Sequence, residues 1–158
     1  MRLVSENGGL RVDVGFYHLT RTPLEEALPA LLGKTLDVGE RALVRCPDAA
    51  SVTALDTALW VSRDPVWLPH GTAKMGHAAR QPIWLTEGND VPNGANFLFR
   101  VDGAGDDDFS PFTRIFDLFD GRDPASVQRA RQRWVALKAA GHTLVYWQQQ
   151  ERGWKKSG

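Results

Sequence analysis

Apolar and polar or small residues alternate along Arg11-Val12-Asp13-Val14-Gly15-Phe16-Tyr17-His18, a pattern that predicts a first strand. Residues 1–10 before it, ending in Gly8-Gly9, read as a loose extension. Thr22-Pro23-Leu24-Glu25 predicts a helix start: Thr22 as the cap, Pro23 at the first helical position and Glu25 closing a capping box. Leu24, Ala27, Leu31 and Leu32 fall on one face of this helix, and Pro29 within it predicts a bend or a later start. After Gly39, Arg41 to Cys46 form a second strand. Pro47-Asp48 then opens a second helix whose Val52, Leu55 and Leu59 make one buried stripe.

The pattern loosens from Ser62 to Gln81. Asp64 to Gly71 is proline-bounded and aromatic, and Gly71 to Arg80 reads as a polar loop. Further strands are predicted at Pro82 to Thr86 and at Asn96 to Val101, separated by turn-forming residues. Gly103 to Pro111 is an acidic loop. The most informative stretch follows: a buried strand from Thr113 to Phe119, a turn at Asp120-Gly121-Arg122-Asp123-Pro124, and an arginine-rich helix from Ala125 to Ala140. His142 to Trp147 reads as a last strand, and Gln148 to Gly158 as a polar, basic tail. Strand and helix alternate, which implies right-handed crossovers and a parallel sheet covered on both faces. The predicted fold is a single three-layer α/β/α domain with a mostly parallel central sheet. The extension occupies 1–10, the domain 11–150 and the tail 151–158.

Composition narrows the function classes. At 158 residues the chain has the size of one domain, and its 19 Lys plus Arg balance its 19 Asp plus Glu. A balanced field gives no general attraction to nucleic acid or to an anionic membrane, so such binding requires a local patch. Cys46 is the single cysteine, which excludes an internal disulfide and is expected in a reducing cytoplasm. No segment has the apolar length of a signal peptide or a membrane span, so no membrane partner is expected.

Enzymatic motifs fail on inspection. Gly71-Thr72-Ala73-Lys74-Met75-Gly76 has the glycine spacing of a phosphate-binding loop, but His77-Ala78 stands where Lys and Ser or Thr are needed. A nucleotide-dependent enzyme using the Gly71 to His77 loop is nonetheless the rival reading from another class. Gly103-Ala104-Gly105 precedes three aspartates that would repel a pyrophosphate. Cys46 has no base nearby in sequence, and His18, His70, His77 and His142 have no metal-ligand spacing. Asp106 to Asp108 could hold a hard cation, although such runs are usually solvated. No cofactor and no metal are expected.

Two constellations remain. On the third helix Val127, Ala130, Trp134, Leu137 and Gly141 form the predicted core-facing stripe, with Arg131 and Lys138 one turn either side of Trp134 and slightly off it. With Phe119 this can form a shallow apolar pocket bordered by cations, suited to the carboxyl end of an acidic peptide. An ordinary amphipathic helix with a solvated basic face accounts for the same periodicity. The second constellation is Trp60 with Trp67, Leu68 and Pro69, aromatic residues of the kind enriched at interface centres. A third reading is direct binding of single strands by the third helix and by Arg152, Lys155 and Lys156, with stacking on Trp154.

Phe16 to Leu19, Leu55 to Trp60, Val66 to Gly71, Gln81 to Leu85, Phe116-Asp117 and Ala130 to Trp134 continuing to Gly141 together resemble the chi subunit of bacterial DNA polymerase III, the HolC family. The resemblance runs in order from about Val12 to about Trp147. It implies a nucleotide-binding-like topology without a nucleotide site. It also implies a non-catalytic accessory role: binding the acidic C-terminal tail of single-stranded DNA-binding protein and linking it to the clamp loader through the psi subunit or another component. Association with single-stranded DNA is then indirect. By the same resemblance Phe119, Arg131 and Trp134 match the tail pocket. Val135 stands where relatives have lysine, with Lys138 or Arg133 as partial substitutes. Trp60 and Trp67 match the psi-facing surface.

Overall fold

A computed structural model describes residues 3–4, 10–63 and 67–157. The Gly8-Gly9 pair and the Asp64-Pro65-Val66 part of the proline-bounded loop lie outside the described residues. The predicted extension contains two short antiparallel strands, β1 (Leu3–Val4) and β2 (Leu10–Arg11). The main chain path is then β3 (Asp13–Leu19), α1 (Leu24–Asp37), β4 (Ala42–Arg45), α2 (Ala49–Trp60), β5 (Gly71–Thr72), β6 (Ile83–Thr86), β7 (Phe97–Val101), β8 (Arg114–Asp120), α3 (Pro124–Ala139), β9 (Thr143–Gln149) and β10 (Trp154–Ser157). Eight strands form one sheet in the order β10-β9-β3-β8-β7-β4-β6-β5, parallel throughout except for the β9–β10 hairpin. This is the expected α/β architecture.

Strand alternation sorts the core into two layers. Tyr17, Val44, Leu85, Phe99, Phe116 and Leu118 point to the face packed by Leu28, Leu31 and Leu32 of α1 and by Leu55 and Leu59 of α2. Val14, Phe16, Leu43, Leu98, Ile115 and Phe119 point to the other face, under Ala130 and Leu137 of α3 and two loop phenylalanines, Phe109 and Phe112. β3 sits between β8 and β9. The chain leaves β3 over one face through α1 and crosses back over the other through α3, so the winding reverses at β3 and β8.

Local details depart from expectation. Thr22 does not cap α1, whose cap is Pro23 without a side-chain bond. Instead the Thr22 backbone N–H donates to Gln149 Oε1 (3.0 Å), and its hydroxyl accepts from Gln149 Nε2 (2.6 Å). The side chain that would cap the helix is thereby used to tie its entry to β9. α1 runs through Pro29, because the bond proline cannot donate would have gone to the carbonyl of Glu25, in an exposed first turn. Gly71-Thr72 is not loop but an edge strand beside β6. The polar stretch after Gln148 is not a tail: the chain turns at Gly153 (φ 73°) and returns as β10 along β9. Its lysines hid it from hydropathy reading, and they are the residues expected on a free sheet edge.

Arginines with carboxylate partners fasten the layers. Arg133 of α3 makes a two-pronged bond to Asp117 of β8, Nε to Oδ2 and Nη2 to Oδ1, each 2.8 Å. Burial pushes the Asp117 carboxyl above the usual carboxylate range, and the bonds and charge of Arg133 oppose that shift. Arg129 reaches Asp102 at 2.7 Å. Arg100 is buried, donates to the carbonyls of Ala104 and Gly105, and pairs with Asp107 at 2.7 Å. Of the three aspartates of the acidic loop, Asp107 is thereby ion-paired, and among the described residues no acidic, histidine or cysteine group is arranged to hold a metal. Among the same residues no helix is long and apolar enough to cross a membrane.

Removing Arg133 leaves Asp117 buried without its partner. Arg133→Ala should lower unfolding free energy by about 3–5 kcal/mol, whereas the double variant Arg133→Met with Asp117→Leu should recover most of that loss. Urea denaturation of the two variants measures both.

Candidate functional site

Two concavities meet the winding reversal, and their chemistry differs. One, of about 480 Å³, lies at the carboxyl ends of the strands between Leu19, Val101, Leu118 and the first turns of α1 and α2. Open α/β folds bind nucleotides in this position, using helix N-terminal N–H groups for phosphate. Here Glu25, Asp48, Asp102 and Asp120 line it. Asp48 already accepts from the Ser51 N–H (2.8 Å), and Asp123 from the Ala125 N–H (3.1 Å). The anion positions at α2 and α3 are thus filled by the protein's own carboxylates. The Gly71 to His77 loop offers no alternative cradle, because it runs into a single 3-10 turn, Ala78–Arg80, rather than an α-helix. Burial pushes the Cys46 thiol up to about 12, which leaves it protonated and unreactive at neutral pH.

The second concavity, about 410 Å³, lies where α3 passes over β3. Its floor follows from strand register. His18 pairs with Phe119 across β3–β8, and Phe16 with Tyr146 across β3–β9, so four ring-bearing side chains share one face. His18 stacks on Phe119 with centroids 4.9 Å apart, and Phe16 meets Trp134 edge to face at 5.2 Å. Val127, Ala130, Arg131, Trp134 and Val135 of α3 form the wall.

The roll of α3 decides which side chains reach this cavity. Ala130 and Leu137 are buried and define the inward direction. At about 100° per residue, Arg129 and Arg133 fall to one side, and Val127, Trp134, Arg131 and Val135 to the other. The first two are consumed by Asp102 and Asp117. Among the described residues no hydrogen bond or ion pair is formed by Arg131, which stands at the exposed rim beside His18 and Tyr146. Val135, 67 % exposed, is on the same rim. Lys138 is exposed on this flank but does not line the cavity.

Phe119, Arg131, Trp134 and Val135 are therefore brought together as the sequence suggested, with Trp134 half-buried rather than in the core. Phe16, His18 and Tyr146 were missed. Period-2 alternation places Phe16 and His18 on one strand face, but which strands flank them is not in the local pattern. His18 is hydrogen-bonded through Nδ1 to the Tyr146 hydroxyl, and its ring edge lies against Gly121. A Cβ there would stand 2.1 Å from His18 Cδ2 and 2.7 Å from the Leu19 carbonyl oxygen, which explains the glycine.

The second constellation is on α2 and the loop after it. Trp60 (55 % exposed) and Trp67 (72 % exposed) present large apolar surface, with Val61 beside Trp60 in the chain also exposed. Leu68 is buried and Pro69 half-buried, so these two support the patch rather than form it. His70 anchors the loop: Nε2 lies 3.0 Å from Asp56 Oδ1, Nδ1 lies 2.6 Å from the Leu68 carbonyl oxygen, and the ring packs on Trp60 at 4.6 Å.

The fold and site define a doubly wound α/β domain with carboxylates in its strand-end crevice and, beside an aromatic cavity, a guanidinium without an ion pair among the described residues. Residues 12–145 match the family model described as DNA polymerase III chi subunit, HolC, and the chain belongs to that family. It is similar to the DNA polymerase III subunit chi of Escherichia coli (strain K12), 28 % identical over 109 residues that cover 67 % of this chain and 72 % of that protein. The family places the chain among the accessory subunits of the replicative DNA polymerase III.

Burial first, and then repulsion from Arg131, hold the His18 imidazole below its ordinary value of 6.5. A depressed folded value means that His18 supports stability above pH 6.5, and that this contribution is lost as pH falls through the folded midpoint. Histidine NMR titration should give a His18 midpoint below 6.5, and Arg131→Gln should move it upward.

Proposed function

We propose that this chain binds the acidic C-terminal tail of single-stranded DNA-binding protein in the α3 cavity and tethers it to the clamp loader. The observation that carries this reading is the unpaired Arg131 at the mouth of an aromatic cavity, while its helix neighbours Arg129 and Arg133 are held by carboxylates. A terminal aromatic side chain enters between Phe16, Phe119 and Trp134, and its chain-end carboxylate meets the guanidinium. Upstream acidic residues of the tail meet Lys138, about two turns from Arg131 along the same flank. The protein works as an adaptor without chemistry of its own, in the cytoplasm, and its association with single-stranded DNA in this role is indirect.

Val135 marks the weak part of the site. The family resemblance implies a lysine where this chain has the exposed Val135, so the apolar contact is larger and the charge contact smaller. Because the remaining cationic contacts are solvent-exposed, affinity should be modest and should fall as salt rises. In fluorescence titrations with a labelled acidic peptide ending in Phe, Arg131→Ala should weaken binding by about tenfold or more, and removal of the terminal Phe should do at least as much. Val135→Lys should strengthen it by roughly twofold to fivefold at low salt. Unchanged affinity for both Arg131→Ala and the shortened peptide would refute the reading.

The same reading assigns the Trp60 and Trp67 patch to the psi subunit or another clamp-loader component. Its support is the exposure of Trp60 at the end of α2 and of Trp67 on the following loop, which His70 anchors, far more apolar surface than a solvated helix end requires. Trp67→Ala should impair co-purification with that partner while peptide affinity is unchanged. Loss of both together would indicate misfolding and remove the support.

A further inference from the structure

On the opposite sheet face from the α3 cavity there is a third concavity, of about 410 Å³, that the tail-binding role does not use. Its floor is aromatic: Tyr17 contacts Phe116 at 5.5 Å, Trp147 stacks parallel to Tyr17 at 6.2 Å (16°), and Trp154 meets Tyr17 edge-on at 5.1 Å (84°). One wall is the flank of α1, with Lys34 and the exposed Val38. At the strand ends the Arg114 guanidinium lies 4.5 Å over the Phe116 ring and 5.9 Å from that of Phe97.

Three observations define what this groove accepts. Its lining contains two cations, Lys34 and Arg114, and no carboxylate, and neither cation has an ion pair among the described residues. Trp147 and Trp154 are half-buried, their rings parallel and perpendicular to Tyr17, so the two indoles present differently oriented surfaces. The family match ends at residue 145, so both tryptophans and the whole of β10 lie beyond it. The hairpin from Thr143 to Ser157 adds Arg152, Lys155 and Lys156 against one carboxylate, Glu151. Lys155 and Lys156 also blunt the free edge of β10, whereas Lys34 and Arg114 stand away from that edge and have no such task.

We propose that this groove, formed by α1, β8 and the β9–β10 hairpin, binds single-stranded DNA directly. Bases stack on the indole surfaces of Trp154 and Trp147, and the adjoining phosphates meet Lys34 and Arg114. Aromatic faces accept any base, and cations spread from α1 across to β10 match a strand whose charge repeats at every nucleotide. A single acidic chain end, by contrast, would need only one of them. The proposal is independent of the tail-binding reading. If both hold, the domain grips the protein tail on one face and the strand on the other.

The test is fluorescence anisotropy of a labelled 15-nucleotide dT strand with the full chain at about 20 mM and about 200 mM salt. Saturable binding that weakens as salt rises is expected. Trp154→Ala should weaken it by about fivefold or more, Lys34→Glu should also weaken it, and Arg131→Ala should leave it unchanged. Lys34 is exposed on a helix, so its variant keeps the test valid should Trp154→Ala disturb the hairpin. Absence of saturable binding at the lower salt overturns the proposal, as does full affinity in both groove variants. Loss of binding in Arg131→Ala would place the strand in the α3 cavity instead. Tighter binding of a 15-nucleotide U strand would overturn the assignment to DNA, and displacement of the strand by an acidic peptide in the Arg131→Ala background would assign the groove to a protein partner.

Discussion

The two-pronged bond between Arg133 and Asp117 fixes the roll of α3 on the sheet, and the α3 cavity depends on that roll. α3 is not a helix with one apolar and one charged face. It has a narrow buried seam through Ala130 and Leu137, an ion-paired flank at Arg129 and Arg133, and a half-buried flank with Trp134. A narrow apolar seam alone would hold the helix loosely in rotation. Anchoring Arg133 to a carboxylate inside β8 holds Trp134 over Phe16 and leaves Arg131 at the rim. Buried ion pairs contribute little net stability compared with apolar packing, but their geometry is directional, and here direction is what the cavity requires.

Charge balance follows the same logic throughout the domain. The chain is formally neutral, and several of its arginines are spent on internal partners: Arg100 with Asp107, Arg129 with Asp102, Arg133 with Asp117, and Arg45 on the carbonyls of Gly88 and Asn89. Internal pairing removes these cations from the surface field. Arg131 and Arg114 are the contrasting cases, each beside aromatic rings and without an ion pair among the described residues. Neutral overall charge therefore conceals two local sites where a cation and exposed ring surface coincide.

In the strand-end crevice, topology and side-chain chemistry can be separated. Its position is set by the reversal of winding at β3 and β8, which topology imposes on any such sheet. Its chemistry is set by side chains, and Asp48 and Asp123 occupy the N-terminal hydrogen bonds that a phosphate would need. The aromatic concavities lie instead on the helix-covered faces, where registered side chains provide apolar area without requiring an anion at a helix end.

Much of the architecture was legible in the chain. A period-2 run gave β3, short apolar runs bounded by turn residues gave β4, β7 and β8, the 3.6-residue period gave the stripe on α2, and the alternation of strand and helix implied a parallel sheet. Phe119, Arg131, Trp134 and Val135 could be grouped because a strand, a tight turn and a helix are consecutive, and consecutive elements pack together. Thr22, β10 and the early end of the supposed tail were misread because a tertiary partner, Gln149 or β9, overrode the local signal. Phe16, His18 and Tyr146 were out of reach for a different reason. They are more than a hundred residues apart in part, and only strand order and register decide that His18 faces Phe119 and Phe16 faces Tyr146. The sequence by itself determined which elements form and which residue types each presents. The tertiary structure alone decided which arginines are neutralised and which remain free, because that depends on distances between strands and helices that no local pattern contains.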